Sequence, residues 1–297
     1  MGIGLKLKLD CIPCLIKQAL RAARLAGASE EMQARIVKEA MEVLLDEPWN
    51  VTPPELAHVV YKLVRKITKV NDPFKEVKRR SNERALRLYP KARELVSSSK
   101  EPLLTAVKLS IAGNIIDFGA LEDVSEDIEA RVLEIIDRDL TLNDYLTLKR
   151  KVMSSSSLLF FADNSGEIVF DKLLIEIMEE TRGKPFDRIT IVVKGGPIIN
   201  DATPDDVEYV SLTRLENLEV RTVSNGDPGS GPERSSPEVM GWIRSHDVVI
   251  AKGQGNYECL SEVEGIFFLL LAKCPVIAKD LGVSVGSLVL KYNVRRR

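Results

Sequence analysis

The first half of the chain repeats apolar residues every three or four positions, a spacing that predicts helices. Between residues 12 and 26, for example, Leu15, Ala19 and Ala23 follow this period. Further helices are predicted after Ser29, after the capping-box pair Thr52 and Glu55, and at about 73–97, 101–112, 125–139 and 143–153. No strand is expected before Ser154. Residues 1–153 are therefore predicted to form an all-α bundle or cap domain.

The pattern changes at the serine cluster 154–157, after which short, continuous apolar runs alternate with helices. This alternation is typical of a parallel sheet that is covered on both faces. The predicted strands lie at 158–162, 189–193, 218–223, 248–251 and 276–278, and the predicted helices at 168–180, 239–244 and 260–272. The predicted fold class is α/β, with a Rossmann-like, doubly wound, mostly parallel sheet domain at 154–297 behind the helical domain.

Composition supports a globular protein and excludes some classes of function. Hydrophobic residues make up 44% of the 297 residues and charged residues 29%, which is enough to build a core and a wettable surface. The 42 Lys and Arg against 44 Asp and Glu give a net charge of −2, without the basic excess of most nucleic-acid-binding proteins. The longest uncharged apolar run, 265–272, is far shorter than the roughly 18 residues that span a bilayer. We expect a cytoplasmic protein with no nucleic-acid or membrane partner.

Two of the four cysteines, Cys11 and Cys14, form a CxxC pair. Four cysteines are too few for a disulfide scaffold in a chain of this length. Cys259 and Cys274 do not supply the second close pair that a zinc ribbon needs. Three interpretations stay open: a redox pair, two ligands of a site completed elsewhere, or small residues at the start of a helix.

Polar side chains follow the ends of several predicted strands. Asp163, Asn164 and Glu167 come after the first strand, and Lys194 and Asp201 after the second. Two more strand ends lead into the run Lys-Gly-Gln-Gly-Asn-Tyr-Glu at 252–258 and into Lys279 and Asp280. Because ligands bind outside the carboxyl ends of strands in such sheets, these groups are predicted to converge on one edge.

The residue types at this edge indicate a chemistry. Asp163, Asn164 and Asp201 are hard oxygen ligands, which suit Mg²⁺, Mn²⁺ or a similar cation better than structural zinc. Lys252 and Lys194 offer positive charge to an anionic substrate, and the glycine-rich turn offers backbone N–H groups to a phosphate. Taken alone, Asp163 and Asn164 also fit a helix cap, and Asp201 fits an ordinary turn. Together they favour metal-assisted phosphate-ester chemistry.

The ordered set of motifs resembles the DUF89 family of metal-dependent damage-control phosphatases, in the archaeal branch that carries an N-terminal CxxC. The resemblance covers nearly the whole chain. It is carried by Cys11-Ile-Pro-Cys14, Asp72-Pro-Phe74, Ser81-Asn82, Gly113-Asn114-Ile-Ile-Asp117-Phe-Gly119, Asp163-Asn164-Ser-Gly-Glu167, Lys194-Gly-Gly-Pro197, Asn200-Asp201-Ala-Thr203 and Lys252-Gly-Gln-Gly-Asn256-Tyr-Glu258.

This resemblance implies a helical domain packed on a Rossmann-like domain, and hydrolysis of phosphate esters of small or damaged metabolites such as sugar phosphates or phosphopantetheine-type compounds. It implies a divalent cation, Mn²⁺, Co²⁺, Ni²⁺ or Mg²⁺, held by Asp163, Asn164 and Asp201. Together with the strand-end pattern, it makes Asp163, Glu167 and Lys252 the predicted catalytic residues. The predicted substrate contacts are Asn114, Asp117, Lys194, Gly253, Gly255, Asn256 and Glu258.

Alternatives to this interpretation are a methyltransferase that uses S-adenosylmethionine, with the adenosyl group along the GQGN turn, and a non-catalytic protein that binds a metal or a metabolite. Within the phosphatase hypothesis, Glu167 orients the attacking water and Lys252 stabilises negative charge. Asp163 is either a metal ligand only or also the nucleophile. The oligomeric state and the physiological substrate stay open.

Overall fold

The computed structural model describes residues 4–113, 134–223 and 236–294, and the first of these ranges is helical as predicted. Most of the helix predicted at 125–139 lies outside the described residues. Of its described part, residues 134–137 are helical. The helices before the first long strand are α1 (Cys11–Leu25), α2 (Glu30–Asp46), α3 (Pro53–Thr68), α4 (Lys75–Ser98), α5 (Pro102–Ala112) and α6 (Tyr145–Ser154).

Local sequence explains where two of these helices begin. The Oγ atom of Ser29 accepts a hydrogen bond from the N–H of Met32, which caps α2. At the start of α3, Thr52 and Glu55 form the predicted capping box, and the N–H of Thr52 donates to Glu55 Oε2 at 2.6 Å. These side chains satisfy N–H groups that have no partner inside the helix, so both starts are set by nearby residues.

In the described part of the chain, seven strands form one sheet in the order β1-β7-β6-β5-β2-β3-β4. All neighbouring pairs are parallel except β6 and β7, so the mostly parallel α/β fold is confirmed. The strands are β1 (Leu142–Asn143), β2 (Ser157–Phe161), β3 (Arg188–Lys194), β4 (Leu218–Val223), β5 (Val248–Lys252), β6 (Ile266–Leu271) and β7 (Leu288–Tyr292). The helices of this half are α7 (Glu167–Arg182), α8 (Pro204–Tyr209), α9 (Pro237–Arg244), α10 (Gly253–Leu260) and α11 (Pro275–Leu281).

Two predictions near the C-terminus are wrong. Residues 260–272 are not a helix: α10 ends at Leu260, and the apolar run that follows is strand β6. The run is apolar at every position, so it has neither a helical nor a strand period, and its place between β5 and β7 decides its conformation.

The predicted strand at 276–278 lies instead in α11, which begins with Pro275 at its first position. Lys279 and Asp280 are therefore helical residues and do not end a strand. The last strand, β7, was not predicted, and neither was the two-residue strand β1 that pairs with it before Ser154. Both strands depend on pairing with other parts of the chain, and the periodicity of the sequence does not predict such pairing.

Among the described residues, the buried apolar side chains form three cores. One lies on each face of the sheet, so that alternate residues of β2, such as Phe160 and Phe161, enter different cores. A third core is enclosed by α1, α2 and α3, whereas residues of α4 and α5 join the core on one sheet face. The predicted domain boundary between residues 153 and 154 stays a prediction.

Within the described ranges, no helix combines the length and the apolar content needed to cross a bilayer.

Candidate functional site

The site lies where the sheet reverses its winding direction. Strand β2 pairs with β3 on one side and with β5 on the other, and all three strands run parallel. The crevice between the carboxyl ends of β2 and β5 is the place where open α/β sheets bind ligands. The predicted polar residues follow β2, β3 and β5, so they meet at this crevice.

The loops after β2 and β3 are held side by side by their backbones. Asn164 and Asp201 form an isolated antiparallel bridge. The N–H of Ser165 donates to the carbonyl of Asn200, and the N–H of Ala202 donates to the carbonyl of Asp163, both at 2.9 Å. This pairing brings the three predicted metal ligands, Asp163, Asn164 and Asp201, to one place although the two aspartates are 38 positions apart.

The Asn164 amide has a defined orientation. Its Nδ2 donates to Asp163 Oδ2 at 2.7 Å and to Glu167 Oε2 at 3.1 Å. Because Nδ2 is held by two carboxylates, the amide presents its other atom, the oxygen Oδ1, as an acceptor away from them. Nearby, Lys194 Nζ lies 3.8 Å from Asp201 Oδ2. The loops therefore combine oxygen donors with one positive charge.

Glycine at position 253 is required by the closeness of Asp163. Gly253 has a φ of +75°, and a Cβ atom built there would lie 1.9 Å from Asp163 Oδ2. At Gly255, by contrast, the nearest atom to such a Cβ would be Pro54 Cγ at 4.0 Å. The first glycine of the GQGN turn thus makes room for a carboxylate, which is a different role from the predicted approach to phosphate.

Behind the loops lies a buried charge cluster, defined here as Lys252, Glu167, Asp171 and Ser110. The Nζ of Lys252 donates to Glu167 Oε1 and Asp171 Oδ1, each at 2.7 Å, and to the carbonyl of Ser110 at 2.8 Å. Ser110 Oγ also donates to Asp171 Oδ1 at 2.7 Å. Lys252 is 0% exposed and Glu167 1%, so the predicted catalytic pair is enclosed by protein groups.

The charges in this cluster shift each other's pKa. Burial raises the pKa of Asp171 to about 6, and the negative charge of Glu167 adds to this effect while Lys252 opposes it. Burial alone would lower the pKa of Lys252, but attraction by the two carboxylates outweighs it and the pKa is raised. Lys252 is therefore a charged ammonium group inside the fold at neutral pH.

A cavity of about 350 Å³ opens in front of the loops. Asp163, Asn164, Lys194 and Asp201 form one wall. Helices α1 and α3 also line the cavity, with both CxxC cysteines, Cys11 and Cys14, together with Gln18 and His58. The volume suits a small metabolite.

The CxxC pair begins helix α1, and none of the four cysteines forms a disulfide. Burial raises the pKa of the Cys11 thiol, and nearby Glu258, Cys274 and Cys14 raise it further, against a hydrogen bond with the Lys8 backbone. In the ranges 4–113, 134–223 and 236–294, no three His, Cys, Asp or Glu side chains form a group able to hold a metal.

The predicted metal set has two carboxylates and one amide, and its chemistry fits a hard divalent cation. Two negative charges balance the ion, and the orientation of the Asn164 amide supplies a neutral oxygen. The set lines the cavity, where a cation would have access to a ligand.

The other predicted site residues have different positions. Gly255 and Glu258 line the cavity, whereas Asn256 is buried and its Nδ2 donates to the carbonyls of Ala162 and Lys252. Asn114 and Asp117 lie outside the described residues. The roles assigned to all of these residues stay predictions.

Selection from the strand ends missed three polar residues that support the site: Ser110, Asp171 and Asn82. Of these, Asn82 entered the sequence analysis only as part of the Ser81-Asn82 motif, without a role. Asp171 follows Glu167 by four positions on α7, which places both carboxylates on one helix face, and this spacing was a usable signal. Ser110 and Asn82 carry no such local signal, because their partners are more than 60 residues away.

Comparison with known proteins finds likeness along nearly the whole chain. A family model described as damage-control phosphatase ARMT1-like domain matches residues 7–289. A damage-control phosphatase from Archaeoglobus fulgidus is 35% identical over 289 residues, covering 95% of this chain and 97% of that protein. A damage-control phosphatase from Pyrococcus horikoshii is 34% identical over 294 residues, covering 97% and 99%. The crystal structure of a DUF89 family protein from Pyrococcus horikoshii matches with a TM-score of 0.85 at 33% identity, covering 98% of this chain and 100% of that one.

Proposed function

The chain belongs to the damage-control phosphatase ARMT1-like family, as its DUF89 motifs predicted, and on this premise we propose that it is a metal-dependent phosphatase. Its proposed substrates are phosphate monoesters of small metabolites, damaged ones among them, such as sugar phosphates or phosphopantetheine-type compounds. The names of the relatives from Archaeoglobus fulgidus and Pyrococcus horikoshii support this reaction class.

One observation carries the proposal: Asp163, Asn164 and Asp201 meet in the wall of a cavity beside Lys194. We propose that these three residues hold Mn²⁺, Co²⁺, Ni²⁺ or Mg²⁺. The chemistry that such a cation supplies is Lewis-acid polarisation of a phosphoryl oxygen. Lys194 would attract the anionic phosphate, because it lines the same cavity and its Nζ lies 3.8 Å from Asp201 Oδ2.

Glu167 and Lys252 lie behind this wall and have a supporting role in the proposal. Glu167 accepts a hydrogen bond from Asn164 through one carboxylate oxygen and from Lys252 through the other. The ion pair thereby fixes the Asn164 amide, and its charges contribute to the field at the cavity. Asp163 serves as a ligand and is the group from which a covalent route would start.

The test replaces one ligand without changing its shape. In Asp201→Asn, hydrolysis of para-nitrophenyl phosphate with added Mn²⁺ or Co²⁺ is expected to fall by more than the roughly 10- to 100-fold typical of an outer hydrogen-bond partner, since a ligand charge is lost. The control is Asp205→Asn, an exposed carboxylate four residues further on, which should keep wild-type turnover. A folded Asp201→Asn variant with unchanged turnover would overturn the proposal.

Chelation separates this function from the methyltransferase alternative. Treatment of the wild type with EDTA should abolish phosphate release, and added Mn²⁺ or Co²⁺ should restore it, whereas methyl transfer does not need a divalent cation. A panel of phosphate esters tested with each metal would then identify the substrate class.

A further inference from the structure

The two loops that carry the proposed metal ligands are joined by one buried side chain of helix α4. Asn82 Oδ1 accepts a hydrogen bond from the N–H of Gly166 at 2.6 Å, next to the Asp163–Asn164 pair. Asn82 Nδ2 donates to Asp206 Oδ1 at 2.7 Å, beyond the Asp201 loop. Asn82 is 2% exposed, so water does not compete for either bond.

Both partners of Asn82 are themselves held in place. The second oxygen of Asp206 accepts from the N–H of Thr203 at 2.9 Å and from Thr203 Oγ1 at 2.7 Å, which forms the capping box of α8. Gly166 has a φ of +81° and begins α7, the helix that carries Glu167. Asn82 therefore connects two helix starts, and each start is continuous with a ligand-bearing loop.

An amide is the side chain that this position requires. The N–H of Gly166 needs an acceptor and the carboxylate of Asp206 needs a donor, and a side-chain amide supplies both from one planar group. A carboxylate at position 82 would face the carboxylate of Asp206 without a proton between them. An apolar side chain would leave the buried N–H of Gly166 without a partner, which is unfavourable in the protein interior.

We propose that Asn82 is a positioning residue for the divalent-cation site: together with the backbone pairing of the two loops, it fixes the orientation of the Asp163–Asn164 loop relative to the Asp201 loop. This proposal rests on the proposed function for its cation. Asn82 does not contact the cation. It acts through Gly166 and Asp206, and its loss widens or skews the ligand set while the sheet and the three cores remain.

The test exchanges the donor and the acceptor of the hydrogen bond between Asn82 and Asp206. Asn82→Asp and Asp206→Asn are each expected to weaken Mn²⁺ binding about 10- to 100-fold, measured by isothermal titration calorimetry. In the double variant Asn82→Asp/Asp206→Asn, the carboxylate at position 82 accepts from Gly166 and from the new amide, whose oxygen accepts from Thr203. The double variant should therefore recover most of the lost affinity.

Asn293→Asp is the matched control. Asn293 also makes two side-chain hydrogen bonds, to the carbonyls of Ser261 and Val263, but it lies away from the loops. It should lower the unfolding midpoint and leave Mn²⁺ affinity unchanged. Wild-type Mn²⁺ affinity in Asn82→Asp, or no recovery in a folded double variant, would overturn the proposal.

Hydrogen exchange keeps this test independent of the proposed function. If the wild type binds no Mn²⁺, the phosphatase proposal fails, but the connection through Asn82 is still measurable. Faster amide exchange across residues 163–168 in Asp206→Asn would show that Asn82 transmits a change from one loop to the other. Unchanged exchange there would overturn the connection itself.

Discussion

At the residue scale, Gly253 shows how closely the site is packed. Its backbone has a positive φ, and the carboxylate of Asp163 occupies the space where any other residue would place a Cβ atom. Glycine is the residue that tolerates both conditions. The glycine-rich turn after β5 is therefore needed to seat a proposed metal ligand.

Substitution of Gly253 tests this requirement. Gly253→Ala should lower the free energy of unfolding by at least about 1 kcal/mol, because an L-residue is strained at this φ, and should abolish Mn²⁺ binding by displacing Asp163. The measurements are urea unfolding and titration calorimetry. Gly255→Ala, in the same turn, has space for its methyl group and should change neither quantity. Equal behaviour of the two variants would contradict the role assigned to Gly253.

A site residue could be predicted from the sequence when neighbouring residues mark its position. Asp163, Asn164 and Asp201 could be selected from the sequence because each follows a recognisable strand. Asn82 could not be selected on physical grounds, because its two partners lie 84 and 124 positions away. The burial of Lys252 could not be predicted either, because the sequence pattern of a lysine after a strand is the same whether the side chain faces solvent or a pair of carboxylates.

At the scale of elements, the buried charge cluster joins α5, α7 and β5. Ser110 lies on α5, Asp171 on α7 and Lys252 at the end of β5. Two carboxylates share one ammonium group, and among the described residues Asp171 Oδ2 has no hydrogen-bond partner. Burial is the main cause of the raised pKa of Asp171; Lys252 opposes it, and the negative charge of Glu167 adds to it.

The cluster predicts a pH dependence of stability. The pKa of Asp171 is about 6 in the folded protein and near 3.9 when unfolded, so the folded state binds more protons between these values. The contribution of Asp171 to the free energy of unfolding is therefore largest below about pH 4 and falls as pH rises to about 6.

Urea unfolding of the wild type and of Asp171→Asn between pH 4 and 7 measures this contribution. Across this pH range, the free energy of unfolding of the wild type should fall by on the order of 2 kcal/mol relative to that of Asp171→Asn. As pH rises past the folded-state pKa, this difference should become constant. Asp187→Asn, at an exposed carboxylate, should show no such trend. A constant difference between wild type and Asp171→Asn would contradict the raised pKa.

Helix α7 and most of the short strands were predictable, whereas the apolar run that forms β6 was not. Helix α7 and strands β3 and β4 lie within two residues of their predicted bounds. Strand β6 is apolar at all six positions and was mistaken for part of a helix. Its conformation depends on backbone pairing with β5 and β7, which is a non-local interaction.

At the scale of the whole molecule, the helical core and the sheet meet at the loop after β3. Ile198 is 3% exposed and belongs to the core formed by α1, α2 and α3. Arg65 Nη1, on α3, donates to the carbonyl of Pro197. Asp201 lies three residues after Ile198, so the same loop anchors the helices and presents a proposed ligand.

This arrangement predicts cooperative unfolding. Ile198→Ala should cost about 2–5 kcal/mol and Ile198→Val about 0.5–1.5 kcal/mol, because each removes buried methyl groups from the shared core. Urea unfolding followed by both circular dichroism and tryptophan fluorescence should show one transition in each variant. Two separate transitions, or equal costs for Ala and Val, would show that the loop does not couple the two regions.

The sequence by itself determined the helical character of the first half, the alternating strands and helices of the second, and the polar residues at the strand ends. These features depend on periodicity and on turn chemistry within a few residues. Tertiary structure decided the sheet order, the conformation of β6 and α11, the burial of Lys252, and the connection through Asn82. Those features depend on contacts between residues far apart in the chain, which no local pattern encodes.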